Sequence, residues 1–310
     1  MILSRNHRHF PFDRVSSGSV ATIGSFDGLH LGHQALLRHV VNEARSRGVP
    51  AIVMSFEPTP REFFQVDSPP SRLMRFREKF EALAASDIDI FYCPRFDSTM
   101  RTIAADAFIR QILVHAMNIR YLVVGDDFRF AQDRAGHLDM LQRAGRTLGF
   151  TVEQMASVAK QGERVSSSAI REALWAGDLD RAAALLGRHY RMSGKVIVGK
   201  RVGRELGYPT ANVNLNRKQS AVMGIFAVRV SGRNWGPLDA VASVGTRPTF
   251  EGTKPLLEVH IFDFDREIYG EYIHVDFIAR LRSEEKFDDV DALVEQMHRD
   301  SALARQILAA

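Results

Sequence analysis

A short, largely apolar run, Val20-Ala21-Thr22-Ile23, passes directly into Gly24-Ser25-Phe26-Asp27-Gly28-Leu29-His30-Leu31-Gly32-His33, and beyond Gln34 apolar residues recur at helical spacing (Ala35, Leu36, Leu37, Val40, Val41). The stretch reads as strand, tight glycine turn and helix start. The helix is expected over 34–47, closed by Gly48, and Ala51-Ile52-Val53-Met54-Ser55-Phe56 reads as the next buried strand. Strand, helix and strand make a βαβ unit, which commits this part of the chain to a parallel sheet.

The alternation continues. A loop with two prolines and two adjacent aromatics (Glu57 to Phe64) precedes a helix expected over 71–85, a strand over 88–92, a helix over 103–117 and a strand over 121–124. A further strand is expected over 151–156. This order predicts a doubly wound α/β domain, whose ligands gather at the carboxyl ends of the strands. Asp27, Asp126 and Asp127 fall just past such ends.

A helix start carries unpaired N–H groups and a partial positive charge, so a glycine turn feeding it is a natural anion site. His30 and His33 add N–H donors, and Gly32 removes a side chain that would keep a phosphate from the backbone. The arrangement suits phosphoryl or nucleotidyl transfer; the plain alternative is two solvated histidines at a helix end. Farther on, Ser166, Ser167 and Ser168 cap a helix expected over 169–176, and together with Arg164 they offer hydroxyls, N–H groups and a cation to ATP phosphates.

Composition narrows the class. The 310 residues, 45% hydrophobic and 25% charged, suffice for two modest cores. A lone cysteine, Cys93, excludes an intramolecular disulfide and favours the cytoplasm. The first residues lack the apolar core of a signal peptide, and nowhere do apolar residues run to the ~18 that a membrane span needs. A net charge of +4, with both signs interspersed, argues against nucleic acid as a partner.

Past Gly187 the pattern changes to short strands between turn residues, expected over 195–198, 225–230, 238–244, 256–262 and 273–278, with an amphipathic helix over about 290–308. These features predict a β-barrel domain, 187–310, after an α/β domain, 1–186. In the barrel, Gly199, Gly203 and Gly207 punctuate a basic loop that runs into Tyr208-Pro209-Thr210-Ala211-Asn212. Its N–H groups and cations suit phosphates, while Thr210 and Asn212 offer neutral oxygens to Mg²⁺. The chain has neither a P-loop nor a Gly-x-Gly-x-x-Gly dinucleotide turn after a strand.

Several of these segments resemble known signatures. Gly24 to His33 resembles the nucleotide-binding motif of the His-x-Gly-His nucleotidyltransferases, and its Phe-Asp-Gly is similar to the FAD synthetase branch; the Arg164 to Arg171 stretch resembles that superfamily's second phosphate-binding signature. Pro209-Thr210-Ala211-Asn212, Ser243 to Phe250 and Leu257-Glu258-Val259-His260 resemble riboflavin kinase. Together they cover nearly the whole chain and resemble the bacterial bifunctional riboflavin kinase/FAD synthetase family.

That resemblance implies ATP-dependent phosphorylation of riboflavin to FMN in the barrel and adenylylation of FMN by ATP to FAD in the first domain. Glu258 would accept the riboflavin hydroxyl proton, with Mg²⁺ on Thr210 and Asn212. His30, His33 and Arg164 would stabilise charge in the adenylyl step, and Gly24, Phe26, Asp27, Gly32, Asp127, Ser167, Ser168 and Arg171 would bind nucleotide. Two positions depart from the family: Ala131, where glycine is usual, and Phe226, where tyrosine is common. Two other readings stay open at this level: a nucleotidyltransferase for another phosphorylated metabolite, and a flavin-binding regulator without turnover.

Overall fold

The computed structural model describes residues 1–199, 203, 207–249 and 252–310, with backbone alone at 247–249 and 252–254. The chain forms two compact units: residues 1–70 with 74–165, and residues 71–73 with 166–310.

The first unit is built on six parallel strands, β1 (Ile2–Ser4), β2 (Ser19–Ile23), β3 (Ala51–Met54), β4 (Ile90–Tyr92), β5 (Ile119–Gly125) and β6 (Thr151–Met155), in the order β1-β4-β3-β2-β5-β6. Every residue of β2, β3 and β4 is buried, as expected of parallel strands covered on both faces. On one face Val20, Val53, Phe91 and Val123 pack with α1 (Leu31–Arg47) and α2 (Phe76–Ala84). On the other, Ala21, Ile52, Ile90 and Leu122 pack with Phe108, Ile109 and Leu113. The helix expected over 103–117 is mainly a π-helical turn, Phe108–Ala116. The chain runs from β2 through α1 to β3 on one side, while β5 lies on β2's other side; the strand order therefore switches between β2 and β5, and the crevice beyond their carboxyl ends is where such sheets bind ligands. A helix not read in the sequence, α3 (Leu138–Leu148), packs beside β6. A two-stranded hairpin follows, β7 (Ala159–Lys160) and β8 (Glu163–Arg164), turned by Gln161 and Gly162, both at positive φ as a type I′ turn requires.

The second unit is a closed antiparallel barrel of β9 (Tyr190–Ile197), β10 (Ala211–Asn214), β11 (Gly224–Gly232), β12 (Trp235–Thr249), β13 (Gly252–Ile261) and β14 (Tyr272–Arg282), in the order β10-β13-β12-β11-β14-β9. β9 closes on β10, so no edge is left unpaired. Phe226, one of the two positions that depart from the resemblance, is fully buried with its ring 5.1 Å from that of Phe277, so the missing hydroxyl is replaced by aromatic packing. Two short helices, α4 (Ser167–Ala176) and α5 (Leu179–Leu186), belong to this unit: α5 buries Leu179, Ala182, Leu185 and Leu186 and packs on β9 and β14. The terminal helix α6 (Val290–Ala309) lies on the barrel through Ala304 and Leu308, against Ala227 and Phe262. It is also held by a bidentate Arg282–Asp300 pair at 2.7 Å, largely shielded from water.

Candidate active sites

In the first unit the turn after β2 is wound tightly. Phe26, Gly28 and Leu29 all take positive φ (48°, 84° and 43°), a conformation that strains the two non-glycine residues. Such strain persists only where the surroundings hold it, and it gathers at functional sites. The holding groups are identifiable. The Phe26 ring is fully buried and lies 5.1 Å from that of His33. The Asp27 carboxylate accepts the N–H of Met74 at 2.8 Å, and buried Lys79 donates to the Ser25 carbonyl at 2.6 Å. Neither Met74 nor Lys79 was read from the sequence; a lysine on an amphipathic helix carries no sign that it will be buried.

His30 is the N-cap of α1, its Nδ1 accepting the His33 N–H at 3.3 Å. In a neutral ring that assigns the proton to Nε2. The His30 and His33 rings stack at 3.6 Å and 15°, and a Cβ at residue 32 would sit 3.3 Å from the His30 ring, so glycine there clears space for the imidazole as well as for a ligand. Burial, then the neighbouring His30, then Lys79 push the His33 pKa well below the usual 6.5, so its imidazole is neutral at physiological pH. The buried His33 Nδ1 has no hydrogen-bond partner among the described residues.

At the carboxyl end of β5, Asp126 accepts from Ser157 Oγ at 2.6 Å and from Arg164 at 2.9 Å; the serine bond first and the guanidinium next hold its carboxyl below the usual range. Arg164 also reaches Asp127 at 3.4 Å. The pairing is half-exposed, worth about 0–1 kcal/mol, and an incoming phosphate competes with it readily. Ala131, just beyond, has φ 64° and ψ −172°, a region that is essentially glycine's, so the departure from the resemblance here is a strained backbone. Gly24 closes β2 by donating to the Met54 carbonyl at 3.1 Å.

In the second unit Ser166 caps α4, accepting from Ala169 N–H at 3.1 Å; Ser167 and Ser168 follow in the first turn, and Arg171 donates to the carbonyls of Ser71 (2.7 Å) and Ser167 (3.1 Å). Lys200–Val202, Arg204–Leu206 and Phe250 of the expected phosphate loop and kinase signature lie outside the described residues.

Asn212 pairs directly with Glu258 across β10/β13, and Glu258 with Ser243 across β13/β12. Leu257 and Val259 are fully buried, so the alternation of a strand turns Glu258 to the opposite, outer face, with Asn212 and Ser243 beside it. Asn212 is buried, its carboxamide so close to Gly199 that a Cβ there would collide with it. Gly203 accepts the Tyr208 N–H at 2.7 Å, and Gly207 has φ 80°. His260 Nδ1–H donates to the Pro209 carbonyl at 3.0 Å, and the Tyr208 hydroxyl bonds to His298 Nδ1. The strand β10 and His298 were missed, and His260 was read only as part of the kinase signature: the turn residues before Asn212 mask a four-residue strand, and His298 lies 90 positions from its partner.

No cluster of three His, Cys, Asp or Glu side chains suited to a metal occurs among the described residues. One carboxylate with neutral Thr210 and Asn212 oxygens fits instead a hard divalent cation that keeps water and substrate phosphates as further ligands. No helix among the described residues is long and apolar enough to cross a membrane.

The family model for FAD synthetase matches residues 13–169, and that for riboflavin kinase residues 186–308. Among curated relatives, the bifunctional riboflavin kinase/FMN adenylyltransferase of Haemophilus influenzae is 43% identical over 94% of this chain and 95% of its own length. That of Escherichia coli K12 is 43% identical over 93% and 92%. A crystal structure described as a macrolide-efflux protein from Streptococcus pneumoniae covers 98% of both chains with a TM-score of 0.82 and 31% identity.

Proposed function

The chain belongs to the bifunctional riboflavin kinase/FMN adenylyltransferase family, making FMN from riboflavin and FAD from FMN with ATP, and we propose how its residues divide that work. The observation that carries the assignment is the coexistence of two separate phosphate chemistries in one chain: the strained His30/His33 turn at the switch point of a parallel sheet, and the Asn212–Glu258 pair on a barrel.

In the kinase step Glu258 accepts the proton of the riboflavin 5′-hydroxyl as its oxygen attacks the γ-phosphorus of ATP; ADP leaves and FMN is formed. Thr210 and Asn212 would hold the divalent cation that such kinases require, Mg²⁺ in our reading, which when bound neutralises phosphate charge. Gly199, Gly203 and Gly207 shape the nucleotide loop around them.

In the adenylyl step an FMN phosphate oxygen attacks the α-phosphorus of a second ATP and pyrophosphate leaves. The nucleophile is already an anion, so no base is needed, and the protein's task is orientation and charge stabilisation. His30 presents its Nε2–H, neutral His33 contributes hydrogen bonding rather than charge, and Arg164 exchanges Asp126 for phosphate. Gly24, Phe26, Asp27 and Gly32 hold the turn; Asp127, Ser167, Ser168 and Arg171 complete the nucleotide-binding set by resemblance.

We assign the adenylyl chemistry to 1–186 and the kinase to 187–310, in line with the two matched families, although α4 and α5 belong to the same compact unit as the barrel. We place the protein in the cytoplasm, since both steps consume ATP and Cys93 is the only cysteine. Incubation with riboflavin, ATP and Mg²⁺, followed by chromatography, tests the whole reading: FMN appears first and FAD later, and chelation of the metal stops both. Absence of both products would overturn it.

A further inference from the structure

We infer that the terminal helix α6 is part of the riboflavin-phosphorylating machinery, with His298 acting through Tyr208 as a positioning residue for the turn that carries Thr210 and Asn212; this rests on the kinase reading of those two residues. Three bonds converge on one dipeptide. The Tyr208 N–H is held by the Gly203 carbonyl at 2.7 Å, the Pro209 carbonyl by His260 Nδ1 at 3.0 Å, and the Tyr208 hydroxyl by His298 Nδ1. The Tyr208 ring is buried between two imidazoles, its centroid 5.0 Å from that of His260 and 5.2 Å from that of His298.

The bond to His298 is not needed to dock the helix. Arg282–Asp300, Arg305–Asp263 and the Ala304/Leu308 contacts already do so, and His298 itself is exposed. What the bond adds is at its other end, two residues from Thr210: it fixes the Tyr208 side chain, and with it the backbone that leads through Thr210 to Asn212, the cross-strand partner of Glu258. His260 shares a strand face with Glu258, two residues away, so the turn is pinned from the strand of the base and from the helix together. A site on rigid elements loses little entropy when its ligand arrives; a loosened turn weakens binding without altering the chemistry.

The test uses the full chain with His298→Ala, His298→Gln, Tyr208→Phe, the Ala/Phe double variant and Thr210→Val, each shown folded by circular dichroism. For His298→Ala and Tyr208→Phe, the KM for ATP in FMN formation should rise about 3- to 10-fold, the scale of one lost hydrogen bond, with kcat and the KM for riboflavin nearly unchanged. Calorimetric affinity for Mg·ADP should fall by the same factor. The double variant should be no worse than either single one, because both remove the same bond. His298→Gln, whose side-chain oxygen still accepts from the tyrosine, should recover most of the affinity, and adenylylation of supplied FMN should not change. If Thr210→Val weakens Mg·ADP while His298→Ala does not, the positioning role is overturned and the kinase reading stands. If neither weakens it, both fall. Additive losses in the double variant would also overturn the proposal.

Discussion

The ring of His30 lies flat against that of His33, 3.6 Å away, while its Nδ1 accepts the backbone N–H of His33. One imidazole thus caps α1 and stacks on the residue three positions farther along it. The contact also makes double protonation unfavourable, because two stacked imidazolium rings repel at close range in a poorly solvated place.

Capping and catalysis separate by substitution. His30→Ala should cut FAD formation on the order of 10²-fold or more, the scale for losing a transition-state donor, and also cost about 1 kcal/mol as a lost cap. His30→Asn keeps a good cap and should lose the activity alone. FMN formation, followed in the same reaction by chromatography, should be unaffected in both. Equal loss of the two activities in a folded variant would contradict a local role.

Glu258→Gln preserves shape and removes the carboxylate proposed as the base. Riboflavin phosphorylation should fall to background, while FMN supplied directly is still converted to FAD at the parent rate. Slowed adenylylation in this variant would show that the carboxylate also serves the first unit's chemistry.

The low pKa of His33 has a stability consequence with a definite sign. Above the unfolded value of about 6.5 both states hold the ring neutral, and nothing depends on pH. As pH falls below it the unfolded chain binds a proton that the folded chain refuses, so stability decreases down to the depressed folded pKa. Melting of the parent should therefore weaken from pH 6.5 to 5, and His33→Asn should flatten part of that slope. An identical slope in both would remove His33 from the account.

Ala131 stands at a glycine-type backbone conformation. Ala131→Gly should relieve strain and stabilise the first unit by about 1 kcal/mol, partly offset by the greater freedom of glycine in the unfolded chain. Thermal denaturation measures the net sign, and a destabilised variant would mean the alanine methyl makes a contact that outweighs the strain.

The packing of α5 on β9 and β14 decides where the barrel can be cut. A fragment from Ser166 to Ala310 should fold and phosphorylate riboflavin. One from Leu186 loses the buried side chains of Leu179 and Leu185, each worth about 1.5–3 kcal/mol, and should melt markedly lower. Equal stability of the two fragments would show that α5 is dispensable to the barrel.

The sequence alone determined what is local. Periodicity and turn residues located the strand-turn-helix at Ile23 to Gln34, the alternation that makes a parallel sheet, the change to short strands after Gly187 and the terminal helix, because each is written within a window of a few to twenty residues. It also marked His30, His33, Thr210, Asn212 and Glu258, through motif and resemblance. Tertiary structure decided which distant residues meet. Asn212 faces Glu258 only by the register of β10 on β13, Lys79 reaches Ser25 only because α2 packs beside the β2 turn, and His298 meets Tyr208 only because α6 returns to the barrel. The amphipathic face of α5 announced that it would be buried but not against which unit, since an apolar stripe is satisfied by any apolar partner. Hydrophobic patterning is non-directional; hydrogen-bond register and side-chain pairing are directional, and they exist only once the chain has closed.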